Sequence, residues 1–532
     1  MKNKFVIFHA NHSAALYQFI VLKNKYFSND DVILMVNNIN LGDSDFAKGL
    51  VKNNVFTKVI PFCEPFSDYQ GLTGKAAIFG FYDKLLAENE ISIENTSAII
   101  TACDIQNWFG LYCVFKNIYP DFLEMHDKQF LNHYRYEGNR TTSNGPLWVE
   151  ELSKQYHILD GEDENCKRRY LCLGSDVKFD GKDIKIDFIN EFYNLPIKLR
   201  RKIVKAMHLG SSDYSKCNLL LLNSFGWTTA RTKDPYPLHY LPYLLLSDYY
   251  FEDSQNTILF KDHPQTNSEY FKNTLSKKES VISSVIPIEF LGLIENFSIQ
   301  KLLSVNSTGN EKISKFVKRE VKIGDSYLYN WKIVHKLFVT MILESIFEKS
   351  INFHVFGIDH CFVENFIANS NTNFRYEKIL GVDPSILKWN IFTVIGNIED
   401  NDVSKVKHAL INADEQTKVV FFGDNVINSF DENDVEIMKH IVPVTITKAK
   451  LPDGTLDDLT PETLYFFCKD DVIKQKVKQF TLIRELKHSG IEINAHYDYA
   501  LKNEIEQNLK IQSLIVKIAN LEKEIYELKK PT

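Results

Sequence analysis

At 532 residues the chain is longer than one hydrophobic core usually organises, because cores split beyond roughly 250–300 residues, so several structural units are expected. Hydrophobic residues at 44% and charged residues at 25% exclude wholesale disorder, and a net charge of -7 excludes a nucleic-acid binder held by global basic charge. The eight cysteines lack the paired short spacings of a zinc site and read as buried, reduced thiols of a cytosolic protein.

The chain opens with KFVIFH (4–9), a short apolar strand, followed by SAALYQFIVLKNKY with the apolar spacing of a helix. DVILMVNN (31–38), NVFTKVIPF (54–62) and SAIITACD (97–104) repeat the strand, with room for crossovers between them. Strands apolar on both faces belong in a parallel sheet covered by helices. QYHILDGEDEN (155–165) reads as a further strand that ends in acidic residues. LPIKLRRKIVKAMHLG is helical and basic and marks the passage to a second unit. That unit repeats the rhythm through NLLLLNSFGW (218–227), NTILFKDHP (256–264), SVISSVIPIEFLGLI (280–294) and KLLSVNSTG (301–309). Two such units predict an α/β protein with two Rossmann-like domains facing a cleft, where ligands bind outside the carboxyl ends of the strands.

From about 345 onward, INFHVFGI, IFTVIGNI, KVVFFGD and TLYFFCK continue the strand pattern, either extending the second domain or forming a third. The tail spaces Ile511, Leu514, Ile518, Leu521, Ile525 and Leu528 by fours and threes, as in a packed helix or a short oligomerising coiled coil. The expected divisions are 1–200, 201–345, an α/β extension over 346–490 and a terminal helix over 491–532. The N-terminal segment lacks a signal-peptide core, and no run approaches the ~20 apolar residues of a membrane span. The expected location is the cytoplasm, with the basic KLRRKIVK helix as a candidate contact for anionic headgroups at the inner membrane.

Three strand ends carry polar chemistry. Asp160 follows YHIL and precedes Gly161; its carboxylate suits a general base, and equally an Asp-Gly turn. His263 stands before Pro264, whose ring restricts it to extended geometry; the imidazole can serve a phosphate or a proton, and equally a cap or core bond. Ser307, Thr308 and Gly309 end another strand ahead of a predicted helix, an arrangement that suits an anion and also a simple helix cap. A base, an imidazole and hydroxyls on one cleft describe transfer from a phosphate leaving group to a hydroxyl.

The order of HILDGEDE, a tryptophan-bearing strand end, LFKDHP, IPIEFLGLI and VNST resembles the metal-independent bacterial sialyltransferases of the GT-B fold, over roughly residues 95–310. The resemblance implies that Asp160 deprotonates the acceptor hydroxyl and that His263 assists the departing phosphate, while Ser307 and Thr308 hold it. It implies that Lys261 and Glu289 bind the cytidine and ribose of the donor, and that Trp227 closes over the acceptor. The chain departs from the family pattern in having Leu159 before Asp160 and Thr308 in place of a second serine. The implied donor is CMP-sialic acid or a related CMP-sugar, with inversion, no metal and no other cofactor, and with a sugar of lipooligosaccharide or capsule as acceptor. Two other readings stand beside it: a metal-dependent nucleoside-diphosphate-sugar transferase using Asp43 and Asp45 of LGDSDF, and a non-catalytic glycan-binding or scaffold protein assembled through its tail.

Overall fold

The computed structural model describes residues 5–10, 13–37, 41, 44–62, 75–102, 108–125, 155, 164–175, 181–210, 212–222, 246–247, 250–251, 255–261, 275–276, 278–304, 307, 309–322, 339–340, 342–344, 352–356, 375–378, 392–396, 398–422, 424–444, 447–450, 456–458, 464–479 and 482–485. Seven strands form the first sheet: β1 (Phe5–Ala10), β2 (Asp31–Asn37), β3 (Lys58–Phe62), β4 (Thr96–Ala102), β5 (Asp121–Leu123), β6 (Arg169–Cys172) and β7 (Asp183–Ile186). Their spatial order is β3-β2-β1-β4-β5-β6-β7, and every pairing is parallel. The continuous apolar runs of β1 and β2 have this outcome because both faces are covered, and the centre of each strand is buried.

The covering helices are α1 (Leu16–Tyr26), α2 (Asp45–Lys52), α3 (Lys75–Glu88), α4 (Trp108–Phe115), α5 (Phe188–Tyr193) and α6 (Ile197–Ala206). Ser44 caps α2, its Oγ accepting the Ala47 N–H at 3.2 Å, and Asp187 caps α5 through the Asn190 N–H at 3.1 Å. Gly49 lets α2 and α6 touch: an added Cβ would lie 2.8 Å from the Ala206 Cα. At the far edge, Arg169 and Asp183 are register partners on β6 and β7 and form a buried two-bonded ion pair at 2.5 and 2.7 Å.

The second sheet runs β10-β9-β8-β11-β12, built from β8 (Cys217–Leu221), β9 (Thr257–Lys261), β10 (Glu279–Ile282), β11 (Ile299–Ser304) and β12 (Val317–Lys322). The pairings of β8 with β9 and with β11 are parallel. The stretch 280–294 divides into a strand and a 3₁₀ segment, Ile288–Leu293, because Pro287 at its start fixes the backbone and withholds a ladder donor. That segment packs on the helices of the first sheet: Phe290 lies 5.5 Å from Phe46 and 5.1 Å from Phe192, ring to ring. One apolar core therefore runs through both sheets, and they share one compact unit made of Met1–Asn223, Gln255–Thr266 and Ser280–Val321. The α/β architecture with two Rossmann-like sheets is the one expected from the strand pattern.

The other unit comprises Ser224–Ser254, Asn267–Glu279 and Lys322–Thr532. It holds β13 (Asn352–Phe356), β14 (Arg375–Lys378), β15 (Phe392–Ile395), β16 (Lys418–Phe421), β17 (Ile441–Val444) and β20 (Leu464–Cys468) in the order β14-β13-β15-β16-β20-β17. The first four are parallel neighbours, while β20 runs antiparallel to β16 and β17. A small sheet of β18 (Thr447–Lys450), β19 (Leu456–Asp458) and β21 (Leu482–Glu485) follows. The residues from 345 onward that recur as apolar strands thus build a mixed sheet of their own. The heptad-spaced tail lies outside the described residues.

Candidate functional site

The carboxyl edge of the second sheet is level across its three central strands. Leu221, which ends β8, is in register with Lys261 of β9 on one side and Ser304 of β11 on the other. With about 4.8 Å between strands, the backbones of Lys261 and Ser304 stand roughly 10 Å apart. Between β8 and β11 the strand order reverses, which makes this edge the topological switch point where open α/β sheets take their ligands. Lys261 is 6% exposed, and its carbonyl accepts the Leu222 N–H at 2.9 Å.

Ser307 lies three residues past β11. Its Oγ accepts the Gly309 N–H at 3.2 Å, which fixes the hydroxyl in a tight turn and leaves its own O–H to donate elsewhere. Gly309 lets the turn sit close to its neighbours: a Cβ there would stand 3.2 Å from Ile288 Cγ2 and 3.3 Å from Ser307 Oγ, a tight fit that a small shift would have to relieve. The next residue, Asn310, is buried and donates through Nδ2 to Ser304 Oγ at 2.6 Å and Glu320 Oε1 at 2.5 Å. Asn310 thus ties the residue after the turn to both strands that frame it, β11 and β12.

Glu289 occupies the first turn of the 3₁₀ segment, 1% exposed, and forms an ion pair with Lys312 of α7 (Gly309–Ile313). Lys312 Nζ lies 5.5 Å from the centre of the Tyr17 ring, and its carbonyl accepts the Tyr193 hydroxyl at 2.8 Å. Burial, and then the Glu289 carboxylate, push the Tyr17 and Tyr193 phenols up, so both remain protonated donors. Gly292 gives the Tyr193 and Phe316 rings room, since a Cβ would fall 2.3 Å from Tyr193 Cε1 and 2.4 Å from Phe316 Cε2. In this arrangement the carboxylate faces Lys312 rather than solvent.

At the carboxyl edge of the first sheet, Glu124 follows β5 and is buried. Its carboxylate accepts the Cys172 N–H at 2.7 Å and the Ser175 hydroxyl at 2.8 Å, which binds the ends of β5 and β6 together. A cavity of about 330 Å³ opens beside it at the ends of β6 and β7, lined by Tyr17, Cys172, Leu173, Ile186, Asp187 and Phe188. Tyr17 belongs to both places: it lines this cavity and its ring lies beside Lys312.

No family model matches the chain, and no curated protein does. Among solved structures it is similar to the alpha/beta-galactoside alpha-2,3-sialyltransferase of the luminous marine bacterium Photobacterium phosphoreum, at 12% identity over 60% of this chain and 91% of that one, with a TM-score of 0.32. It is similar also to Arabidopsis thaliana UGT89C1, at 11% identity over 64% of this chain and 84% of that one, with a TM-score of 0.31. Likenesses this distant assign no activity.

Of the residues singled out from sequence, Lys261 ends β9 beside Leu221 of β8, Ser307 follows β11, which flanks Leu221 on the other side, and Glu289 stands two residues after Pro287 and pairs with Lys312. Asp160, Trp227, His263 and Thr308 lie outside the described residues. Asp45 stands in the first turn of α2 behind its Ser44 cap, while Asp43 lies outside the described residues. Among the described residues no group of three or more His, Cys, Asp or Glu is placed to hold a metal, and no helix is long and apolar enough to cross a membrane. The five described cysteines are free thiols. Sequence reasoning missed Lys312, Tyr17 and Glu124. Glu124 follows a strand of only three residues, too short to show a periodicity, and Lys312 is joined to Glu289 by tertiary packing alone.

Proposed function

We propose that the chain is an inverting, metal-independent glycosyltransferase that moves sialic acid or a related nonulosonic acid from its CMP donor to a sugar hydroxyl of a cell-surface glycan such as lipooligosaccharide or capsule. The observation that supports this reading is the level carboxyl edge at the β8/β11 switch point, where Lys261 of β9 and Ser304 of β11 stand on either side of Leu221 and Ser307 follows β11. A cation and a hydroxyl donor at that edge suit the phosphate and nucleoside of a nucleotide sugar, the ligand class such crevices accept. His263 and Thr308 follow within two residues of Lys261 and directly after Ser307 in the sequence, and on this reading they complete the donors to the leaving phosphate. Asp160 supplies the base that takes the acceptor proton.

Breaking the bond between the anomeric carbon and the phosphate oxygen leaves negative charge on CMP. Preorganised donors aimed at that charge lower the barrier, and deleting one costs about 10²–10³ in kcat in comparable sites. On the same reading Glu289, paired with Lys312 of α7, contributes with Lys261 to holding the cytidine and ribose of the donor. The test is transfer from CMP-sialic acid to galactose-terminated acceptors in the presence of a chelator, read by mass spectrometry, with the product anomer assigned by NMR. Transfer with inversion, and a loss of about 10²-fold or more in both Asp160→Asn and His263→Ala, is expected. No transfer from any CMP-sugar, or full activity in both variants, contradicts the reading.

A further inference from the structure

The helix α6, with sequence IKLRRKIVKA, carries five cations and no acid in a chain whose net charge is -7. Its buried side, Ile203 and Ala206, packs on α2 at Gly49. The outer side presents two parallel rows at four-residue spacing: Ile197, Arg201 and Lys205 in one, Lys198 and Lys202 in the other, all exposed. None of Lys198, Arg201, Lys202 and Lys205 has an ion-pair partner among the described residues. Like charges four apart weaken a helix in water. Here the rows hold two such pairs, Arg201 with Lys205 and Lys198 with Lys202. An opposing anionic surface removes that repulsion.

We propose that the outer face of α6 is a docking surface for an anionic phospholipid bilayer, a role independent of the glycosyl-transfer reading above. Charge complementarity selects an anionic partner, and two features select a bilayer among anions. Ile197, 54% exposed, heads the row that continues into Arg201 and Lys205 and follows the exposed Pro196, so an apolar side chain sits among cations as it does in interfacial helices. The helix has no aromatic residue on which a nucleic-acid base would stack.

The experiment is flotation of the full chain with vesicles of phosphatidylcholine alone or mixed with phosphatidylglycerol. The expected result is flotation with the anionic vesicles only, reversed at about 1 M salt, where the screening length falls to about 3 Å. Replacing Lys198, Arg201, Lys202 and Lys205 together by Gln should lower the bound fraction about tenfold or more while the melting curve is kept. The milder pair Lys198→Gln with Lys205→Gln should give an intermediate loss. A matched set at the exposed Lys84, Lys405, Lys439 and Lys476 should leave flotation unchanged. Failure of the unmodified chain to float with phosphatidylglycerol, equal flotation of the fourfold α6 variant, or tighter binding to duplex DNA or polyglutamate than to the vesicles would each overturn the proposal.

Discussion

Glu289 and Lys312 reach each other from a 3₁₀ segment and a short helix, and their ion pair gives the buried Glu289 carboxylate a neutralising partner. An isolated buried carboxylate is costly, and a partner that neutralises it makes the site tolerable without making it a source of great net stability. Removing either partner leaves the other charge stranded. Glu289→Gln and Lys312→Met should each lower stability by about 3–5 kcal/mol, and the double variant by clearly less than the sum, in urea denaturation followed by fluorescence. Strict additivity would mean that the two charges do not interact. From sequence, Glu289 was recognisable as a polar residue in an apolar IPIEFLGLI stretch; its partner was not, because nothing in local spacing reports which helix will lie against that stretch.

At the scale of elements, the strands were the most legible feature, since continuous apolar runs with both faces covered leave little choice of environment. β5 and the strand after it are the exception. Asp121 opens β5 with its carboxylate accepting the Arg168 N–H at 3.0 Å, so an acid joins two neighbouring strands where a pattern reader sees only a polar break. Burial pushes that carboxyl up to about 6, against the pull of Arg168 and Lys167. The unfolded chain releases the proton near pH 3.9, so the stabilisation from holding it is full below about pH 4 and lost as pH rises through about 6. The effect amounts to about 3 kcal/mol at most. Asp121→Asn, which keeps the acceptor oxygen, should match the unmodified chain near pH 4 and exceed its urea midpoint at pH 7.5; equal midpoints at both pH values would contradict this.

For the whole molecule, the two Rossmann-like sheets were readable from strand rhythm, whereas their union in one apolar core was not, because it depends on Phe290 meeting Phe46 and Phe192 across elements remote in sequence. Of the candidate site, the strand ends were legible: Lys261 closes β9 and Ser307 follows β11 at an edge where β8, β9 and β11 are parallel and level. The measurement that bears most directly on that edge is isothermal titration of the full chain with CMP in the presence of a chelator. CMP should bind, and Lys261→Met and Ser307→Ala should each weaken it by about tenfold or more, as expected when a hydrogen bond to a charged group is removed. Absence of CMP binding, or affinity unchanged in both variants, would contradict a nucleotide site at the end of β8.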